Sequence, residues 1–376
     1  MTTYYVDPDS VGTPDGLDWD TAWLSLQDAF DTVAADDTTY CRGTETLSAP
    51  LDIDQGNDGT DNAPISFVGC NSSGVEDGTR YEIDATSAGA GEAGIKGIVA
   101  GSGDYWRWRN IRVHHAPGNG WRLTGSGYTA YNKFINCEAD NNGGIGFSYY
   151  YGPSMHFIFC SSHDNTGDGF SSNWHNVSYR FCESYNNTAD GYGGSISAGS
   201  SYYHCISCGN LDGIGNWDVA AIVGCIIDGN LDNGIQGFTG SENHANLFIG
   251  NRITNNTNYG IDNLVTNELS MYGWNFFEGN GTDIHYPMSP IVDPITQIDS
   301  NVFTGTIGYV SADSPDYDYE LTPSATLRNQ ATPIGGLNGS TNIYLAAGLP
   351  VEDLGGGEGD GGSFIMPQRS NSLLRR

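Results

Sequence analysis

Five cysteines recur in phase along this chain: Cys137, Cys160, Cys182, Cys205 and Cys225, at intervals of 23, 22, 23 and 20 residues. Five residues after each stands an asparagine: Asn142, Asn165, Asn187, Asn210 and Asn230. If Asn251 and Asn275 take the cysteine slot in later repeats, the same offset gives Asn256 and Asn280. A period in the low twenties with one polar residue held in phase marks a solenoid. Each repeat is then one coil, which buries its apolar face only by stacking on its neighbours.

The coils read as strands. Phe134-Ile135-Asn136-Cys137, Phe157-Ile158-Phe159-Cys160, Tyr179-Arg180-Phe181-Cys182 and Ala221-Ile222-Val223-Gly224-Cys225 are short runs of aromatic and β-branched residues. A polar turn follows each, then a Gly-apolar step: Gly169-Phe170, Gly191-Tyr192, Gly213-Ile214, Gly234-Ile235 and Gly260-Ile261. These glycines are expected to supply the positive φ of a sharp corner. An earlier turn, Asn110 through Gly120-Trp121, fits the phase loosely.

Equivalent positions in stacked coils lie about 4.8 Å apart. A column of asparagines can therefore pass amide hydrogen bonds from coil to coil and satisfy a buried turn. The cysteines are expected to be a second structural column of small, reduced, buried side chains. No pair of CxxC motifs is present, so no zinc or redox site is expected from them; Cys41 and Cys70 are read the same way.

With 376 residues, 53 glycines and 16% charged residues, one elongated domain fits better than two globular ones. The 45 acids against 14 bases give a formal charge of −31, which excludes nucleic acid as a partner through charge repulsion. No apolar run of about 18 residues exists to span a membrane. The start, Met1 to Asp7, lacks the basic and apolar regions of a secretory signal. Four parts are expected. Residues 1–40 form an N-terminal cap, with an amphipathic helix placing Trp23, Leu26, Phe30 and Val33 on one face and Asp20 or Thr21 as N-cap. Residues 41–290 form the coils, 291–354 a closing segment, and 355–376 a glycine linker and tail.

The opening Tyr4-Tyr5-Val6-Asp7-Pro8-Asp9, then Trp19-Asp20-Thr21-Ala22-Trp23-Leu24-Ser25-Leu26-Gln27-Asp28-Ala29-Phe30, followed by coils with Asn and Gly-apolar turns, resembles the right-handed parallel β-helix proteins of the pectate-lyase-like group. The resemblance covers roughly residues 4 to 335. It implies an all-β, right-handed parallel β-helix. It leaves activity open, because the group holds polysaccharide lyases, glycoside hydrolases, uronan epimerases and phage tailspikes. The NTD, GHG and RIK motifs of its pectin-type hydrolases are absent. Its lyases commonly use an arginine or lysine base beside calcium-bound carboxylates. The candidates here are Lys133 and Arg109, the latter in Trp106-Arg107-Trp108-Arg109-Asn110-Ile111-Arg112, where alternation is expected to put the arginines on one face of a strand. Such a stripe either binds an anionic sugar or pairs with acids on the next coil; pairing is favoured.

Two other groupings carry candidate chemistry. Asp168, Asp190, Asp212 and Asp232 stand near successive glycine corners. Stacked carboxylates would hold a cation, and calcium suits all-oxygen ligands, although Asp-Gly is also ordinary turn chemistry and no cofactor is required. Tyr149, Tyr150, Tyr151, Trp174 and Trp217 follow the Gly-apolar steps and are candidate sugar-stacking rings. His175 and Asp218 would be a base and its orienting acid if they faced each other. In the tail, Phe364, Ile365, Met366, Arg369, Leu373, Leu374, Arg375 and Arg376 have no core to join and read as a docking peptide. Two functions stay open. One is a structural or binding β-helix anchored by this tail to a larger assembly, a phage virion surface, synthesised in the host cytoplasm, contacting glycans and open to homo-oligomerisation. The other is a lyase, hydrolase or epimerase of an acidic polysaccharide.

Overall fold

The computed structural model describes residues 1–53, 58–97, 104–123, 131–150, 154–172, 177–194, 199–217, 220–237, 245–262, 269–273, 275–285, 309–311 and 318–321. Three sheets build a parallel β-solenoid. The first has eleven strands, from Thr3–Val6 to Leu269–Gly273. The second has ten, from Thr44–Thr46 to Phe276–Glu278, and the third ten, from Leu51–Asp52 to Thr282–His285. One coil runs through Lys133–Ile135, Glu138–Asp140 and Phe147–Tyr149 in turn, and the next lies alongside it in parallel register, Phe134 opposite Phe157. A separate antiparallel pair joins Tyr309–Ser311 to Asp318–Leu321. Among the described residues no helix is long and apolar enough to cross a membrane.

Positive φ marks two columns of corners. Between the first and second sheets it falls on Asn110, Asn136, Phe159, Phe181, His204, Gly224 and Gly250. Between the second and third it falls on His115, Asn141, Asp164, Asn186, Gly209, Gly229, Asn255 and Gly279. The glycines of the Gly-apolar step are not among them, contrary to expectation. Their requirement is close approach. A Cβ on Gly169 would lie 2.8 Å from the Gly191 carbonyl oxygen, and one on Gly191 would lie 2.7 Å from that of Gly213.

The cysteines and asparagines each sit one residue past a left-handed corner. Asn142 Nδ2 donates to Asn165 Oδ1 at 2.9 Å, Asn165 to Asn187 at 2.9 Å, and Asn187 to Asn210 at 3.0 Å. Asn210, Asn230 and Asn256 continue the chain to Asn230, Asn256 and Asn280 at 3.5, 2.8 and 2.8 Å. Each oxygen also accepts the backbone N–H of the asparagine before it, as Asn210 Oδ1 does from Asn187 at 2.9 Å. Each amide therefore satisfies donors and acceptors at a corner that water does not reach. Three buried serines join in. Ser162, Ser184 and Ser207 donate at 2.7 Å to the carbonyls of Gly169, Gly191 and Gly213. All eight cysteines are free and buried. In the column, Cys137, Cys160, Cys182, Cys205 and Cys225 donate to the carbonyl two residues back at 3.4–3.6 Å. Asn251 follows in this column, its Oδ1 accepting the Cys225 N–H at 2.9 Å, and Asn275 serves Asn251 in the same way at 3.0 Å.

Through the middle coils the core holds two ring ladders packed edge to face. Phe134, Phe157, Tyr179 and Tyr202 stack along the first sheet with centroids 4.9, 5.3 and 5.1 Å apart. Phe147, Phe170 and Tyr192 stack along the third at 5.0 and 5.2 Å. Edge-to-face contacts lock one to the other, as between Phe170 and Tyr179 at 5.5 Å and 69°. At the N-terminal end, helix α1 (Leu26–Thr32) buries Leu26, Ala29 and Phe30, and the Phe30 ring meets Phe67, Trp106 and Trp108. Its N-cap is Ser25 rather than Asp20 or Thr21. Ser25 Oγ accepts the Gln27 N–H, whereas the Thr21 hydroxyl is turned to Asp15 and Asp18, and Trp23 bridges to Val6. The strand Thr3–Val6 pairs in parallel with Thr38–Arg42, so the first sheet begins before residue 41.

Two measurements probe these corners. Asn187→Ala removes a buried amide with partners on both sides and should destabilise by about 1–3 kcal/mol, with exposed Thr188→Ala near zero, in denaturant unfolding. Gly191→Ala forces a methyl against backbone and should cost about 1–3 kcal/mol. An unchanged midpoint in either would sink the corresponding account.

Candidate functional site

The strand pairing places Arg107, Lys133 and His156 in one column of the first sheet. Each precedes an inward ring (Trp108, Phe134, Phe157), so alternation turns all three outward. With Tyr105, Tyr131, Thr60, Asp61 and Pro64 they line a cleft of ≈ 170 Å³. Tyr105 and Tyr131 stack at 4.6 Å and 12°, and both hold positive φ, a conformation uncommon for bulky side chains. Among the described residues no carboxylate lies within ion-pair distance of Arg107 or Lys133. Burial, then the charges of Arg180 and Lys133, push His156 below the usual imidazole range. The cleft sets Arg107 and Lys133 against the one carboxylate of Asp61, on a chain of formal charge −31.

The arginines do not share one face. Asn110 turns the corner, so Arg107 and Arg109 lie on the first sheet and Arg112 on the second. Arg109 pairs with Glu76 at 2.8 Å. Arg112 grips Asp140 with two bonds of 2.7 Å and reaches Glu82 at 3.3 Å and Glu138 at 3.4 Å. Glu138 also pairs with Arg80 and lies 3.4 Å from His163 Nε2. Burial works against both members of the last pair. Even so, His163 and Arg80 hold Glu138 down to about 2, and Asp164 and Glu138 raise His163 to about 9. This is a closed ion-pair network, each charge answered by a neighbour.

The aromatic candidates separate. Tyr149 is buried in the core, because it shares the inward side of Phe147–Tyr149 with Phe147; it offers no sugar a surface. Tyr150 is exposed. Trp217 ends the strand Ile214–Trp217. Tyr151, Trp174, His175 and Asp218 lie outside the described residues, as do the docking positions Phe364, Ile365, Met366, Arg369, Leu373, Leu374, Arg375 and Arg376. His156 was missed in the sequence. Its signal was there: it stands one residue before Phe157, as Lys133 stands before Phe134.

Asp168 and Asp190, half-buried, and Asp212, buried, form an acidic column but do not converge as a ligand set. Among the described residues, three His, Cys, Asp or Glu ligands come within 4.8 Å of one another only at Asp84, His114 and His115 and at Glu138, Asp140 and His163. Asp168, Asp212 and Asp232 are engaged by the neighbouring coil. Asp168 Oδ1 accepts the Asp190 N–H at 3.2 Å, Asp212 Oδ1 accepts the Asn233 N–H at 2.8 Å, and Asn258 Nδ2 donates to Asp232. Gly193 and Gly215 leave the space that the Asp168 and Asp190 carboxylates fill. Burial, then Asp168 and Asp212, push Asp190 up to about 7; burial chiefly pushes Asp212 up to about 6. A raised carboxyl favours the fold below its unfolded value, and that gain is lost as pH rises through its folded value. Thermal stability should therefore fall between about pH 4 and pH 8 through this column. Asp190→Asn should gain about 1–2 kcal/mol at pH 8 and little at pH 4. Equal effects at both pH values would contradict it.

No protein-family model matches this chain, and no curated protein matches its sequence. Solved structures do. The pectate lyase Pel9A superposes with a TM-score of 0.64 at 16% identity, over 91% of this chain and 94% of that one. A rhamnogalacturonan lyase gives 0.65 at 16%, over 84% and 92%. The ORF18 protein of Geobacillus virus E2 gives 0.50 at 12%, over 75% and 59%. At these identities the likeness is one of fold, and the chain has the parallel β-helix fold of the pectate-lyase-like kind.

Proposed function

We propose that this chain is a glycan-contacting β-helix whose binding site for an anionic saccharide is the basic cleft on the first sheet. In this reading it is displayed on a larger assembly, a phage virion surface, and is held there by residues 363–376. The observation that carries the glycan part is the outward column of Arg107, Lys133 and His156, where neither Arg107 nor Lys133 has an acid partner among the described residues. Cations left unpaired on so acidic a chain are suited to a ligand that brings its own carboxylates. The stacked Tyr105 and Tyr131 add a rigid wall with a wet edge. At ≈ 170 Å³ the cleft is smaller than a drug-sized pocket of about 300–1,000 Å³, so it suits one charged sugar of a chain lying across the sheet.

A second reading, an acidic-polysaccharide lyase or epimerase, is favoured by one feature of the same cleft. Lys133 stands directly beside Arg107. A lysine base taking the proton α to a carboxylate, with an arginine balancing the charge that develops, is the arrangement such chemistry needs. Two of the structural neighbours are named as lyases and one as a viral protein, so the fold serves either reading.

Calorimetric titration with polygalacturonate, alginate and neutral dextran tests the cleft. The acidic polymers should bind, more weakly as salt rises, and the Arg107→Ala/Lys133→Ala variant should lose about tenfold, some 1.4 kcal/mol. Equal binding of dextran, or full affinity in the double variant, would overturn it. Unsaturated uronate, read by ultraviolet absorbance, separates the two readings; its appearance with the wild type and loss in Lys133→Arg establishes the lyase. Removing residues 355–376 should leave a folded solenoid that no longer joins its assembly, and full incorporation of the truncated chain would refute the anchor.

A further inference from the structure

On the outer face of the second sheet, away from the basic cleft, three ligand groups converge that neither the fold nor the proposed binding uses. Asp84 and His114 are register partners on adjacent coils, and His115 follows at the left-handed corner. One ligand atom from each lies within 4.8 Å of the others. His114 Nδ1 and His115 Nδ1 face each other at 2.8 Å, and His115 Nδ1 lies 3.6 Å from Asp84 Oδ1. We propose that Asp84, His114 and His115 form a binding site for a first-row divalent cation of the zinc type, which clamps the two coils together.

The two distances to His115 fit with little movement. Tetrahedral zinc holds nitrogen at about 2.0–2.1 Å and carboxylate oxygen at about 2.0–2.2 Å, so its ligand atoms stand about 3.3–3.4 Å apart. The histidine pair must open by about half an ångström, and the Asp84–His115 distance must close slightly. Without a cation, one of the two facing nitrogens has to carry the proton between them. With a cation that proton sits on Nε2 instead, leaving both Nδ1 lone pairs for the metal. The Asp84 carboxylate is held in place by the Thr86 hydroxyl at 2.6 Å and the Thr86 N–H at 3.1 Å, the support that metal-ligating carboxylates commonly have. His114 is 7% exposed, whereas the His115 side chain is half exposed, so the site is anchored on one side and open on the other. Three protein ligands and one solvent position complete a tetrahedron. The imidazole nitrogens select zinc, cobalt, nickel or copper over calcium. The nearby Glu138, Asp140 and His163 meet the same spacing, but Arg80 and Arg112 already neutralise them, so a dication would be repelled there.

The test uses the full untagged chain titrated with Co²⁺ alone, read by visible absorption, and with Zn²⁺, read by calorimetry and melting temperature. One equivalent of cobalt should give a tetrahedral spectrum, and zinc should raise the melting temperature. His115→Asn keeps the corner, because Asn141 and Asn186 hold positive φ at the equivalent corner of later coils. It should weaken binding at least about tenfold and abolish both signals, as should Asp84→Asn. His163→Gln should leave them intact. Absence of a one-to-one cobalt complex, or wild-type affinity in His115→Asn, would overturn the proposal.

Discussion

The amide hydrogen bonds that run between coils are what the rest of this solenoid depends on. A β-helix must turn three times per coil with no helix or hairpin to satisfy its corner backbone. Here one of those turns is closed by asparagine side chains whose oxygens each accept both the backbone N–H and the side-chain amide of the asparagine in the preceding coil. Serines and close-packed glycines complete the same corner. The corner fixes where the third sheet starts, hence which side of each strand faces in. The ring ladders and the outward columns follow from that phase.

The solenoid itself could be read from the sequence, because the corner chemistry recurs one residue at a time. The Cys137-to-Cys225 spacing and the asparagines five residues on give the period, and the apolar residue after each glycine gives the third-sheet core. The reason for the glycines could not be read. Positive φ and close approach both select glycine, and only the neighbouring coil decides between them. The alternation of Arg107, Arg109 and Arg112 misled for a related reason: a one-residue corner at Asn110 looks like strand in the sequence while it carries the chain from one sheet to another.

Site residues were less legible, since what matters for them is which residues lack a partner. Arg109 and Arg112 look like Arg107 in sequence, yet acids from other coils answer the first two. The aspartates near the glycine corners share a phase, but phase sets only their spacing along the stack. Their oxygens are turned to backbone and to the gaps at Gly193 and Gly215. The convergence of Asp84 with His114 needed the pairing of two coils whose repeats lie outside the cysteine column.

The left-handed corners have a collective side. Phe159, Phe181 and His204 occupy a conformation that suits asparagine or glycine better, and their rings lie on one another outside the core at 5.1 and 5.3 Å. Each ring's favourable contacts exist only because the adjacent coil adopts the same unfavourable backbone. The three positions are therefore one unit of selection: a change to glycine at Phe181 would relax its own corner and strip both neighbours of the stacking that offsets theirs.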